Sequence, residues 1–192
     1  AKAKYNFQVH YPGAGVGGPC LPINSYQLLN TARRTGVKLS IIESSRKINE
    51  LMPDHVIQLT IDAFNECKKS LEKSKILIMG ISYKPNVKDI QLSPAKDIIK
   101  KFQNLGSIVH IYDPFFSSTE IFGLQVENNF ENILSEMDAV VIVTGHDVFK
   151  EIKIDSFLKI KSKILIDSRG IIDIISVKNK DIIFRGLGRG DF

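Results

Sequence analysis

Ile76-Leu-Ile-Met79-Gly80-Ile-Ser-Tyr83-Lys84-Pro85-Asn86 decides the fold. Unbroken apolar residues running into a glycine and a polar loop suit a strand buried on both faces. Similar runs follow at Ile108-Val-His-Ile-Tyr112, Ala139-Val-Val-Ile-Val143 and Ile164-Leu-Ile166. Between the first two, Ser93 reads as an N-cap, Pro94 as the first helical residue and Gly106 as the stop. That is a β-α-β unit, and the alternation continues through helical stretches at Phe130–Met137 and Asp155–Ile160. Leu124–Val126 and Asp181–Arg185 are candidate edge strands. The expectation is an α/β fold: residues 74–192 form a doubly wound, mainly parallel sheet domain, with ligands beyond the carboxyl ends of its strands.

Upstream, residues 1–73 read as mostly helical. Tyr26–Arg34 forms a short helix stopped by Gly36, a residue suited to the left-handed turn. Ser40-Ile-Ile-Glu43 fits a capping box. Behind it Ile41, Ile48, Met52, Val56, Leu59 and Ala63 fall on one helical face, with Pro53 expected to kink the helix. Cys67 extends the stripe and reads as packing. A stripe this long cannot be buried within its own region. A homodimer through helix 40–69, or contact with another domain, is therefore expected.

Composition excludes several classes. With 43% hydrophobic and 24% charged residues the chain has an ordinary globular balance. No apolar run is long enough for a membrane span. The net charge of +5 is spread along the sequence with no aromatic-basic interleaving, so no nucleic-acid partner is expected. Two cysteines without metal-ligand spacing point to a reducing, cytoplasmic setting.

One cysteine stands apart. In Tyr11-Pro-Gly-Ala-Gly-Val-Gly-Gly-Pro-Cys20-Leu-Pro-Ile-Asn24, four glycines within six residues precede a thiol flanked by two prolines. Stiffened backbone beside side-chain-free backbone is a way to present a nucleophile. Gly13, Gly15 and Gly18 also fit the spacing of a dinucleotide fingerprint. That motif needs a strand before it and a helix immediately after. The flanking prolines place the helix start near Asn24, so the motif is rejected.

In the loop after the first strand, Lys84 offers a mobile positive charge and Tyr83 a flat face with a hydroxyl, both suited to a nucleotide. Arg169 follows the strand ending at Asp167, and its planar fork suits a pyrophosphate or a pyrimidine edge. Pairing of Arg169 with Asp167 or Asp173 is the alternative.

Gly-Val-Gly-Gly-Pro-Cys20-Leu-Pro, Gly80-Ile-Ser-Tyr83-Lys84-Pro-Asn86-Val-Lys-Asp89-Ile and Asp167-Ser-Arg169-Gly170, in that order, resemble the UDP-glucose/GDP-mannose dehydrogenase family. The branch most resembled oxidises UDP-N-acetyl-mannosamine, a chemistry of polysaccharide biosynthesis. The resemblance runs from about Phe7 onward. It implies a Rossmann-like UDP-sugar-binding domain behind the rear of a central helical dimerisation domain, and NAD as cofactor on a separate N-terminal half. It further implies a two-stage oxidation: hydride leaves the sugar C6 alcohol for NAD, Cys20 captures the resulting aldehyde as a thiohemiacetal, a second hydride leaves to give a thioester, and hydrolysis yields a uronate. Gly15, Gly17, Gly18, Tyr83, Lys84 and Arg169 would contact the UDP-sugar. Where the family commonly carries an aspartate four residues after the cysteine, this chain has Asn24, which exchanges no proton near neutral pH. Gln91 replaces an arginine that in some members reaches the cofactor pyrophosphate. Without the NAD-binding half the chain is expected to be inactive, and the rival expectations are a non-enzymatic UDP-sugar-binding module or a dimerisation protein.

Overall fold

A computed structural model describes residues 9–189. Two helices, α1 (Leu21–Arg34) and α2 (Ser40–Glu66), precede strand β1 (Lys75–Met79), helix α3 (Pro94–Asn104) and strand β2 (Ile108–Tyr112). A small antiparallel hairpin, β3 (Glu120–Ile121) and β4 (Leu124–Gln125), follows. Strands β5 (Ala139–Ile142), β6 (Ile164–Asp167) and β7 (Ile183–Gly186) are separated by single-turn helices α4 (Asp147–Lys150), α5 (Ile154–Phe157) and α6 (Ile174–Val177). The five long strands form one sheet in the order β2-β1-β5-β6-β7, every pairing parallel.

Alternation along the strands divides the core in two. Ile76, Ile78, Val109, Ile111, Val141, Ile164 and Ile166 face α2 and α3. Leu77, Met79, Val140, Ile142, Leu165 and Phe184 face the opposite layer, with Phe149 and Phe157 of the short helices. Helix α3 buries Ala95, Ile98, Ile99 and Phe102, the spacing of one helical face. A fully buried ring such as Phe102 contributes about 2–3 kcal/mol. The Ser93 hydroxyl accepts from the Ala95 amide at 3.3 Å, and Gly106 takes φ +82°, so the expected cap and stop both form. Gly36 at φ +74° likewise ends α1: its amide reaches the Arg33 carbonyl while that of Val37 reaches Ala32.

Several local expectations change. Helix α1 begins at Leu21, with Cys20 as its N-cap, rather than near Asn24. Proline at the first turn loses no helical bond, because those amides have no partner there, so Pro22 sits inside the helix. The capping box does not form. Leu39 is the N-cap of α2 without a side-chain bond, and the Glu43 carboxylate accepts from Arg33 at 2.9 Å instead. Phe130–Met137 folds as two short 3₁₀ turns, and the helix expected at Asp155–Ile160 is one turn. Of the expected edge strand Leu124–Val126, Leu124–Gln125 pairs within the hairpin, and Val126 adds a single parallel bridge to Ile111 at the β2 edge of the main sheet. Asp181–Arg185 does supply an edge strand, β7.

The stripe on α2 divides at Pro53, through which the helix continues. Val56, Ile57, Ala63 and Phe64 are buried against the chain's own sheet domain, so that half needs no second subunit. Ile41 and Ile48, 83% and 61% exposed, remain uncovered, as do Leu21, Ile23 and Leu28 of α1. No helix among the described residues is long and apolar enough to cross a membrane.

Candidate functional site

In the strand order, β1 and β5 flank the point where successive connections leave in opposite directions, where a crevice opens beyond their carboxyl ends. The loops after these strands meet there. Gly80 makes the approach possible: at φ +82°, a Cβ on it would stand 2.3 Å from the Thr144 carbonyl oxygen. The Thr144 hydroxyl donates to the Ser82 carbonyl at 2.5 Å.

A buried carboxylate organises the crevice floor. Asp113, just beyond β2, accepts on Oδ2 from the Ile81 amide (2.8 Å), the Ser82 amide (3.1 Å) and the Ser82 hydroxyl (3.0 Å). His146 Nε2 lies 3.0 Å from the same oxygen. Burial alone would raise the Asp113 pKa. The bonds from His146 and from the Phe115 and Ile81 amides outweigh it and hold the carboxyl below its ordinary value. On its other side His146 Nδ1 accepts from the Asn86 amide at 2.9 Å. Asp113, Thr144 and His146 were not singled out in the sequence. Their signal was position, since Asp113 and Thr144 directly follow apolar strand runs at the ligand end of the sheet and His146 lies two residues further on.

Tyr83 is half-buried and its amide closes a turn onto the Asp89 carbonyl at 2.9 Å. Lys84 is exposed, and no hydrogen bond or ion pair of its side chain occurs among the described residues. Beyond β6, the Asp167 carboxylate accepts from the amides of Arg169, Gly170 and Ile172, and Asp173 caps α6. Both carboxylates are thus engaged by backbone, and neither makes an ion pair with Arg169 among the described residues. Burial draws the Arg169 pKa below its ordinary value, against the pull of the Asp167 charge. A guanidinium nevertheless stays charged. Half-buried and with no ion pair among the described residues, it favours an incoming anion.

Arg169 lines a cavity of about 520 Å³ with Tyr11, Pro85, Gly145, Lys150 and Arg189. Arg189 is committed to carbonyls, donating to Ile172 at 2.7 Å and to Gly170 at 2.5 Å. Tyr83 and Lys84 do not line this cavity, although Pro85 beside them does.

The cysteine loop docks against the same region. A Cβ on Gly17 would fall 2.3 Å from the Leu92 carbonyl oxygen, and one on Gly18 would fall 2.6 Å from the Tyr83 ring. Gly15 faces Pro94 and Gly13 faces the Arg169 guanidinium. The room these glycines leave is filled by the chain's own residues. A dinucleotide therefore does not fit over them, though the helix begins sooner after the run than expected. Gln91 joins the junction through its backbone, its carbonyl accepting from the Gly18 amide at 2.9 Å while its side chain is exposed. Cys20 and Asn24 are both exposed and one helical turn apart, the Asn24 amide donating to the Cys20 carbonyl at 2.8 Å. An exposed thiol at the end of such a loop is available to an electrophile.

Comparison with known proteins agrees with this architecture. Residues 77–174 match the UDP binding domain of the UDP-glucose/GDP-mannose dehydrogenase family, and residues 1–51 match its central domain. The UDP-N-acetyl-D-mannosamine dehydrogenase of Pyrococcus horikoshii is 35% identical over 185 residues, covering 96% of this chain and 41% of that protein. A solved structure of UDP-D-ManNAc dehydrogenase from Pyrococcus horikoshii superposes with a TM-score of 0.84 at 31% identity, covering 100% of this chain and 43% of that one. An NDP-N-acetyl-D-galactosaminuronic acid dehydrogenase from Methanosarcina mazei gives 0.85 at 28% identity, covering 94% and 40%. The chain thus spans about 40% of the length of these relatives.

Proposed function

Because the chain belongs to the UDP-glucose/GDP-mannose dehydrogenase family, we propose that it is the carboxyl-terminal part of an NAD-dependent UDP-sugar 6-dehydrogenase. The substrate is of the UDP-N-acetyl-mannosamine or UDP-glucose type. In this reading residues 74–192 hold the UDP-sugar, and residues 1–73 are the rear of a helical dimerisation domain carrying the cysteine loop. Arg169 and Lys84 take the diphosphate, and Tyr83 flanks the nucleotide. Gly15, Gly17 and Gly18 let the backbone carry Cys20 toward the sugar.

One observation supports this most strongly: the cysteine loop rests on the loop after β1, through the Gly18–Gln91 hydrogen bond and the Gly18–Tyr83 contact. A nucleophile and a nucleotide-binding loop share one junction. Cys20 would attack the aldehyde carbon to form a thiohemiacetal; loss of a hydride, which bound NAD would accept, and of a proton would leave a thioester, which water would open to the uronate and the free thiol. The NAD-binding half and a second copy, meeting the uncovered faces of α1 and α2, complete the assembly. In this reading NAD binds on the N-terminal half, and the chain without that half performs no oxidation.

Calorimetric titration with UDP, UDP-sugars and GDP-sugars tests the proposal. Binding of uridine nucleotides in preference to GDP-sugars is expected, and absence of any nucleotide binding overturns it. Asn24 favours a second reading, a UDP-sugar-binding module without catalysis, because an amide cannot relay the proton that hydrolysis needs. Activity on adding the NAD-binding half separates the two.

A further inference from the structure

Deepening the nucleotide-sugar reading on which it rests, we infer that His146 is a positioning residue: its Nδ1 holds the Asn86 amide and so fixes the turn that presents Tyr83 and Lys84. The imidazole is wholly buried, packed between Phe115 (centroids 5.1 Å apart) and Phe149 (5.2 Å). It does not line the cavity, so it acts through the loop and not by touching a ligand.

The hydrogen bonds define its state. Asn86 N–H donates to Nδ1 at 2.9 Å, so that nitrogen carries no proton. The ring proton sits on Nε2, 3.0 Å from Asp113 Oδ2. That carboxylate also holds the start of the same loop, at the Ile81 and Ser82 amides. The loop is therefore clamped at both ends, by Asp113 at residues 81–82 and by His146 at residue 86, with Tyr83, Lys84 and Pro85 between them. Asn86 sits at the bend of this loop. It takes φ +60°, a left-handed conformation that asparagine adopts more readily than other non-glycine residues and that local hydrogen bonds hold in place. Its side chain is engaged too: Nδ2 donates to Asp147 at 2.6 Å, and the Asp147 amide donates back to Oδ1 at 3.0 Å. Asp147 is further tied to Lys150.

Two substitutions of similar polarity separate the roles of the two ring nitrogens. His146→Asn keeps an acceptor near the position of Nδ1, and His146→Gln keeps a polar group near Nε2 only. Amide exchange followed by NMR should find Asn86 as protected in His146→Asn as in the parent chain, and at least tenfold less protected in His146→Gln. Calorimetry with UDP should follow the same order, with about tenfold weaker binding for His146→Gln, the effect of one lost buried hydrogen bond. The imidazole nitrogen shifts of the unmodified chain provide a check that needs no variant. A protonated Nδ1 overturns the inference, and so does equal Asn86 protection in the two variants. If the parent chain binds no UDP while Asn86 protection still follows the Nδ1 acceptor, the clamp stands and the nucleotide reading falls.

Discussion

The Gly18 amide donates to the Gln91 carbonyl at 2.9 Å, joining the cysteine loop to the loop that follows β1. Seventy-odd residues separate these partners, and the contact survives only because nothing projects from the glycine. A Cβ at Gly18 would enter the Tyr83 ring at 2.6 Å, and its φ of +90° adds backbone strain. Gly18→Ala should therefore destabilise the chain by about 1–3 kcal/mol and release the cysteine loop. Denaturant unfolding gives the energy, and faster alkylation of Cys20 gives the release. Unchanged values of both would mean the loops are not coupled.

Charge substitutions along α2 should divide into two classes. Val56 is 0% exposed within the chain's own core, so Val56→Asp should cost about 3–5 kcal/mol and lower the melting temperature at any protein concentration. Ile48, 61% exposed, should tolerate aspartate in the folded chain. If its face meets a second copy, Ile48→Asp shifts the sedimentation coefficient toward monomer and leaves unfolding of the monomer unchanged. Equal loss of fold in both variants would count against this division.

Acid should act through Asp113. Its carboxyl lies below the ordinary range in the folded chain, despite burial, because His146 and the loop amides bind the charged form. The contribution is complete above the unfolded carboxyl pKa of about 4, and is lost as pH falls through the lower folded value. Asp113→Asn should remove that acid-side dependence and destabilise the chain at neutral pH by about 3 kcal/mol, since an amide cannot accept from all the donors aimed at it. Unfolding free energies between pH 3 and 7 provide the measurement.

Much of this arrangement was legible in sequence because it obeys short-range rules. The continuous runs at Ile76, Ala139 and Ile164 forecast buried parallel strands, and Ser93, Pro94 and Gly106 bracketed α3 within a residue. Errors arose where two local rules competed. Pro22 read as a helix breaker, although the first turn tolerates it, and Ser40 read as a cap, although Glu43 turns to Arg33. The Asp113–His146 pair was missed for a different reason. Thirty-three residues separate its members, and only the β2-β1-β5 order brings both to one end of the sheet. Of the two coverings expected for the α2 stripe, a second copy or another domain, the sheet domain takes the half after Pro53; periodicity identifies an apolar face and not which of the two covers it.

Lys84→Ala and Arg169→Ala should each weaken UDP binding by about 1.5–3 kcal/mol, the range for hydrogen bonds to charged groups. Arg169 should be the more sensitive, since it is half-buried beside Gly13 and already carries a desolvation cost that a phosphate offsets. Titration calorimetry gives both values, and the salt dependence should fall in each variant. Equal affinity in all three proteins would make the residues ordinary surface.

Catalysis gives the last test of the proposed dehydrogenase, assayed with an NAD-binding half present. In the reassembled enzyme Cys20→Ser should stop uronate formation, because a hydroxyl without an adjacent base is a far poorer nucleophile than a thiol. Cys20 and Asn24 are one helical turn apart and both exposed, so a carboxylate at position 24 would stand on the same face of α1 as the thioester. Asn24→Asp should then speed thioester hydrolysis, seen in single-turnover experiments as faster uronate release without a change in UDP affinity. A rate unchanged by Asn24→Asp, in an enzyme that already turns over completely, would mean that another group activates the water. If Cys20→Ser retains full uronate production, covalent capture at Cys20 is wrong, and the chain's contribution reduces to holding the UDP-sugar.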